Sequence, residues 1–177
     1  MAEHGIQDYL IAKRKAAERY GVVEGSFLPK NVEIEAALAA HQRLFSGNRH
    51  TSSLKQQRHV AAQAMQLLSR FEPRLVGAVL NGTATEFTDI QLHLFSDSPE
   101  AVYLHLMERR YEYEVLERKV RMTAERQIIV PSVRFEMQSE TIEAFVFPTD
   151  GIRQAPISPV DGKPMRRAKI MEVGDLP

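Results

Sequence analysis

The sequence predicts a mixed α/β (α+β) fold: helices lead, and a helix-flanked sheet follows. Three observations predict it. The first 72 residues carry apolar side chains at helical spacing. The stretch Leu75–Phe95 combines a short apolar run with a segment, Asp89-Ile90-Gln91-Leu92-His93-Leu94-Phe95, that alternates at period two. After one further helical stretch come three β-like segments.

In chain order, a helix is expected from about Gln7 to Tyr20, with Gly21 as its stop. Its cluster Lys13-Arg14-Lys15 reads as a solvated face. A connector from Gly25 to Lys30 precedes a second helix, about Val32 to Phe45, capped by Asn31. A third helix, capped by Thr51, Ser52 or Ser53, runs to about Arg70. Its stripe of Val60, Ala61, Ala64, Leu67, Leu68 and Phe71 is predicted to be buried. Pro73 ends it. Ser98-Pro99-Glu100 is a helix start, and that helix should reach about Arg109 with Val102, Leu106 and Tyr103 inward. Tyr113 to Met122 alternates but is interrupted by charges, as an edge strand would be. Ile128–Met137 and Thr141–Phe147 read as two strands joined by Gln138-Ser139-Glu140. From Pro148 onward, prolines, glycines and Arg166-Arg167 describe an extended arm with at most a short helix after Met165, expected to cross the domain or a partner subunit. Three regions follow: a helical extension at 1–72, a core at 73–148 and the arm at 149–177, in a single compact domain.

Composition narrows the function classes. The chain has 177 residues, 44% of them hydrophobic, which is enough for one real core. Its 23 basic and 23 acidic residues cancel, so no global field favours nucleic acid. Absence of cysteine excludes thiolate catalysis and cysteine-ligated zinc. No window approaches the roughly 20 apolar residues that a membrane helix needs. The opening MAEHGIQDYL does not read as a signal peptide, and a cytoplasmic protein is expected.

The central stretch carries the chemistry. Gly77-Ala78 lies within the apolar run Leu75–Leu80, expected to be a strand, Asn81-Gly82 follows it, and Thr88-Asp89-Ile90-Gln91-Leu92 closes the pattern. This resembles the signature of the nucleotidyltransferase superfamily, which includes the minimal nucleotidyltransferases and DNA polymerase beta. That signature is an apolar strand, Gly-Ser, a second glycine and Asp-x-Asp on the next strand. The resemblance implies a nucleotide held near Gly77, Ala78 and Gly82, with nucleotidyl transfer from a nucleoside triphosphate to an unknown acceptor. It implies two magnesium ions held by acids. Asp89 matches the first acid, and Gln91 stands where the second is expected. Glu143 is the candidate for the third, with Glu136 as its rival. His93, on the same side of the strand, is a further candidate ligand for a softer metal; its more ordinary role is a hydrogen-bonded or solvent-facing strand histidine. Arg166, Arg167 and Lys169 read as a solvated tail rather than phosphate contacts.

Two positions depart from the signature. Ala78 replaces a serine, removing a hydroxyl worth about 0.5–1.5 kcal/mol to a phosphate. Gln91 replaces an aspartate and removes a full negative charge from a site for a hard cation. The expectation is therefore a degenerate family member that binds a nucleotide or a protein partner with weak or no transferase activity. The alternatives are an active transferase with a rearranged metal site, or an interaction module, a homo-oligomer included.

Overall fold

The computed structural model describes residues 9–21, 28–41 and 47–176, with the side chains of 47–49 left aside. Helices α1 (Tyr9–Tyr20) and α2 (Asn31–His41) lead into the long α3 (Gly47–Leu67) and a 3-10 turn at Ser69–Phe71. Strand β1 (Arg74–Val76), the short helix α4 (Gly77–Asn81) and strand β2 (Ile90–Phe95) form the central stretch. Then come α5 (Pro99–Glu108), β3 (Tyr113–Arg121), β4 (Gln127–Met137) and β5 (Glu140–Phe147). A 3-10 turn at Thr149–Arg153 and helix α6 (Ile170–Gly174) lie in the C-terminal arm.

The five strands form one mixed sheet in the order β1-β2-β5-β4-β3. Only β2 and β5 run parallel; the other neighbours are antiparallel. The fold is thus the expected mixed sheet flanked by helices. Alternation divides its two faces. Ile90, Leu92 and Leu94 of β2, Ile142, Ala144 and Val146 of β5, and Val133 and Phe135 of β4 bury against one helical layer. That layer supplies Val60, Ala61, Ala64 and Met65 of α3, Leu68 just after it, and Val102 and Leu106 of α5. The α3 stripe is buried as its spacing predicts, with Leu67 only partly so. The opposite face holds a smaller cluster of Phe95, Val130 and Phe147. Beside it lie the polar side chains of the candidate site.

Several boundaries differ from the sequence reading. Helix α3 opens at Gly47, so Thr51, Ser52 and Ser53 lie within it rather than capping it. The ends assigned near Gln7 and Phe45, and much of the Gly25–Lys30 connector, fall outside the described residues. The apolar run Leu75–Leu80 is not one strand. Gly77 adopts φ +74°, which breaks the strand after Val76 and starts α4. Val79 and Leu80 are therefore buried as helix residues. Helix α4 ends on Gly82 at φ +81°, a left-handed C-cap. The last hairpin turns through Gln138 and Ser139, both at positive φ, so Glu140 already belongs to β5.

The arm does not trail into solvent. Ala168 forms an antiparallel bridge with Leu75 at the outer side of β1. Asn31 of α2 donates to the carbonyl of Pro159 at 2.6 Å. No helix among the described residues is long and apolar enough to cross a membrane.

Candidate functional site

Register builds the site. Val76, the last residue of β1, faces Gln91 on β2, and Gln91 faces Glu143 on β5. Gly77 and Gln91 are consequently stacked: a Cβ at Gly77 would lie 2.6 Å from Gln91 Oε1. Glu143 faces Arg134 on β4. Asp89, just ahead of β2, reaches the same face. Topology thus places Asp89, Gln91 and Glu143 together. Glu136 lies farther along β4, opposite Thr141.

Each acid is already engaged. Arg118 of β3 donates from Nε to Glu143 Oε1 at 2.6 Å, and the Ser132 hydroxyl donates to the same oxygen at 3.2 Å. The Glu143 side chain is only 7% exposed, against 41% for Arg118. Arg134 donates to Asp89 Oδ2 at 3.0 Å. The Gln91 side chain makes no hydrogen bond to the described residues, while its backbone pairs in the sheet. Two carboxylates and two guanidiniums therefore cancel, with a neutral amide between them.

His93 is buried against Phe145 and Phe147. Arg167, from the arm, donates from Nε to His93 Nδ1 at 3.0 Å. Burial, and then the neighbouring Arg167 charge, lower the imidazole pKa from 6.5 to about 3. His93 is thus a neutral acceptor and not an open metal ligand. Arg167 also donates to the carbonyl of Gly151 at 2.8 Å and lies over the rings of Phe95 and Phe147. Burial, then Arg74, lower its own pKa to about 10. The solvated-tail reading of Arg167 is corrected: it pins the arm to the sheet. Arg166 and Lys169 do remain exposed.

A pair of magnesium ions would draw on Asp89 and Glu143, with Gln91 between them. Such ions need free carboxylate oxygens in near-octahedral geometry. Asp89 and Glu143 have arginine partners, Gln91 adds no charge, and no group of three acids or histidines suited to a metal occurs among the described residues.

A cleft of about 590 Å³ shares Gln91 with this group, but neither Asp89 nor Glu143 lines it. Its floor is Gly77, Ala78 and Gln91, and one side is Thr83, Thr85 and Thr88. Tyr9 and Leu10 of α1, Glu35 of α2 and the arm from Ser158 to Arg166 supply other walls. Burial, then Glu35, push the Tyr9 hydroxyl up to about 12. Two polar residues of α3 hold the cleft in shape. Gln57 donates to the carbonyls of Thr85 and Thr88 at 2.9 and 3.3 Å, and Arg58 donates to Val79 at 3.2 Å. Gly82 does not line the cleft; the carbonyl of Gly82 lies 3.3 Å from His50.

The sequence reading missed Arg118, Arg134, Ser132 and the two α3 residues. The pattern of β4, Val130-Pro131-Ser132-Val133-Arg134-Phe135, does place Ser132 and Arg134 on one polar face. Which acids that face meets depends on register between strands distant in sequence, and no local signal states it.

No family model matches the chain, and no curated protein matches it. Among solved structures, the chain is similar to the GLD-2/RNP-8 complex at 16% identity and TM-score 0.34, covering 57% of this chain and 42% of that one. It is also similar to a cytoplasmic RNA terminal U-transferase at 16% identity and TM-score 0.32, covering 66% of this chain and 34% of that one. The chain spans less than half the length of either. At this similarity, neither likeness assigns a role to any residue.

Proposed function

We propose that this chain is a degenerate nucleotidyltransferase-like domain that binds a nucleotide in the cleft over Gly77 and Ala78 without carrying out metal-dependent transfer. One observation carries the reading: Arg118 and Arg134 take the acids that metal ions would need. A guanidinium bonded to a carboxylate supplies positive charge at that carboxylate without a metal. It cannot activate an attacking hydroxyl as a metal does. The cleft volume lies within the range usual for small-molecule sites, roughly 300–1,000 Å³. A cytoplasmic location accords with a chain that has no cysteine.

The test pairs two assays. Thermal shift with each common ribonucleoside triphosphate in EDTA should show stabilisation, and Ala78→Leu, which fills the cleft, should abolish it. Pyrophosphate release in magnesium or manganese should stay at background. Release above background that Asp89→Ala removes would sink the reading. The runner-up, an active transferase, draws on the register pairing of Gln91 with Glu143, and it requires both arginines to swing away from their acids.

A further inference from the structure

Among the described residues, strand β3 is a long edge that no other strand pairs with on its outer side. It spans nine residues at the end of the sheet, and none of them is buried. The Gln127–Pro131 half of β4 pairs with β3 alone, because β4–β5 pairing starts at Ser132. A long exposed edge invites pairing with another chain unless it is covered. Its backbone direction can be read. The Met122 N–H donates to the Arg126 carbonyl at 2.9 Å, so even-numbered residues of β3 exchange hydrogen bonds with β4. Odd-numbered residues turn their N–H and C=O outward. Pro131, which lacks a donor, faces odd-numbered Glu117, and the Arg121 carbonyl accepts from Ile157 at the far end of the edge. Both facts agree with that assignment.

A second copy of the chain can continue the sheet across this edge about a two-fold axis normal to it. Such an axis opposes residues of equal parity. Centred on Leu116, it sets Leu116 against itself, Glu114 against Arg118, Tyr113 against Lys119 and Val115 against Glu117. Opposite charges then face each other twice, and no like charges meet. Centring on Glu117, Arg118 or Lys119 opposes two identical charges. Centring on Val115 shortens the overlap to Tyr113–Glu117. Cross-strand pairs of this kind decide register. Arg118 can serve both contacts, because only its Nε is used by Glu143 and its terminal nitrogens have no partner among the described residues. Val115, 50% exposed, would be covered by the Glu117 stem.

We infer that the protein forms a homodimer through antiparallel pairing of β3 edges, with the two-fold axis at Leu116. The chain contains no cysteine, which gives cross-linking a clean background. Leu116→Cys lies at a self-opposed, non-hydrogen-bonded position, where Cα atoms are about 4.5 Å apart and a disulfide can close. The experiment combines sedimentation velocity of the intact chain with oxidation of Leu116→Cys and Glu117→Cys. A dimer is expected, cross-linked at Leu116→Cys but not at Glu117→Cys, and reduced to monomer by Glu114→Arg. A monomer at high micromolar concentration, a cross-link at Glu117→Cys in place of Leu116→Cys, or a dimer captured by neither cysteine would overturn the inference.

Discussion

Arg118 Nε lies 2.6 Å from Glu143 Oε1, joining the outermost strand to a buried acid two strands away. The two ends of this pair are unequal. Glu143 is nearly sealed, and Arg118 reaches water. Removing the arginine strands a buried carboxylate. Removing the charge from Glu143 only releases an arginine to solvent.

Arg118→Ala should therefore cost about 2 kcal/mol, below the 3–5 kcal/mol usual for breaking a fully buried pair because Arg118 is partly exposed. Glu143→Gln should cost about 1 kcal/mol or less, since a side-chain oxygen still meets the Ser132 hydroxyl. Urea denaturation of both variants checks the order. Equal costs would mean that solvent screens the pair at both ends.

Gly77→Ala separates strain from crowding. The new Cβ would meet the flexible end of Gln91, which can rotate away at little cost. The φ of +74° has no such escape. A loss of about 1–2 kcal/mol is expected, the typical penalty for a left-handed non-glycine residue. Gln91→Ala in the same chain should not restore it. Recovery in the double variant would show that the amide contact, not the backbone, demands glycine.

His93 makes stability depend on pH. Its folded pKa is about 3, below the ordinary 6.5, so the unfolded chain binds the proton more readily. Stability from this residue is complete above pH 6.5 and falls as the pH drops toward 3. Arg167 stays charged throughout that window and adds no slope. Denaturant midpoints measured from pH 7 to pH 4 should decline, and His93→Leu should flatten the decline while losing about 1–3 kcal/mol at neutral pH from the unpaired Arg167 Nε. An unchanged slope in His93→Leu would assign the acid sensitivity to other groups.

Gln57→Ala should loosen the cleft. Its amide holds two loop carbonyls, at Thr85 and Thr88. Leaving them unmet should cost about 1–3 kcal/mol each where they stay buried. Hydrogen exchange should rise in residues 83–88 and not in β4. Faster exchange across the whole sheet would mean global destabilisation instead.

Local patterns in the sequence made much of this legible. Alternation along Ile90–Phe95 gave the two faces of β2, and the α3 stripe from Val60 to Phe71 gave the helical layer. The polar row of Asp89, Gln91 and His93 was legible as a row, but its environment was not. His93 is buried against Phe145 and Phe147, and Arg167, 74 residues later, bonds its ring. Glu143 became a candidate by resemblance, and only the parallel pairing of β2 with β5 puts it opposite Gln91. Gly77 as the point where strand becomes helix was hidden, since Leu75–Leu80 is apolar throughout and strand and helix both bury such a run. The arginines that occupy the acids come from strands 25 and 45 residues away from their partners in sequence, beyond the reach of any local period.

If arginines rather than metal ions satisfy Asp89 and Glu143, nucleotide binding should not depend on magnesium. Titration calorimetry of ATP into the wild-type chain, with magnesium and then with EDTA, tests it most directly. The same heat and the same affinity are expected in both conditions, with Asp89→Ala changing neither by more than a few-fold. Binding that appears only with magnesium and disappears in Asp89→Ala would contradict it.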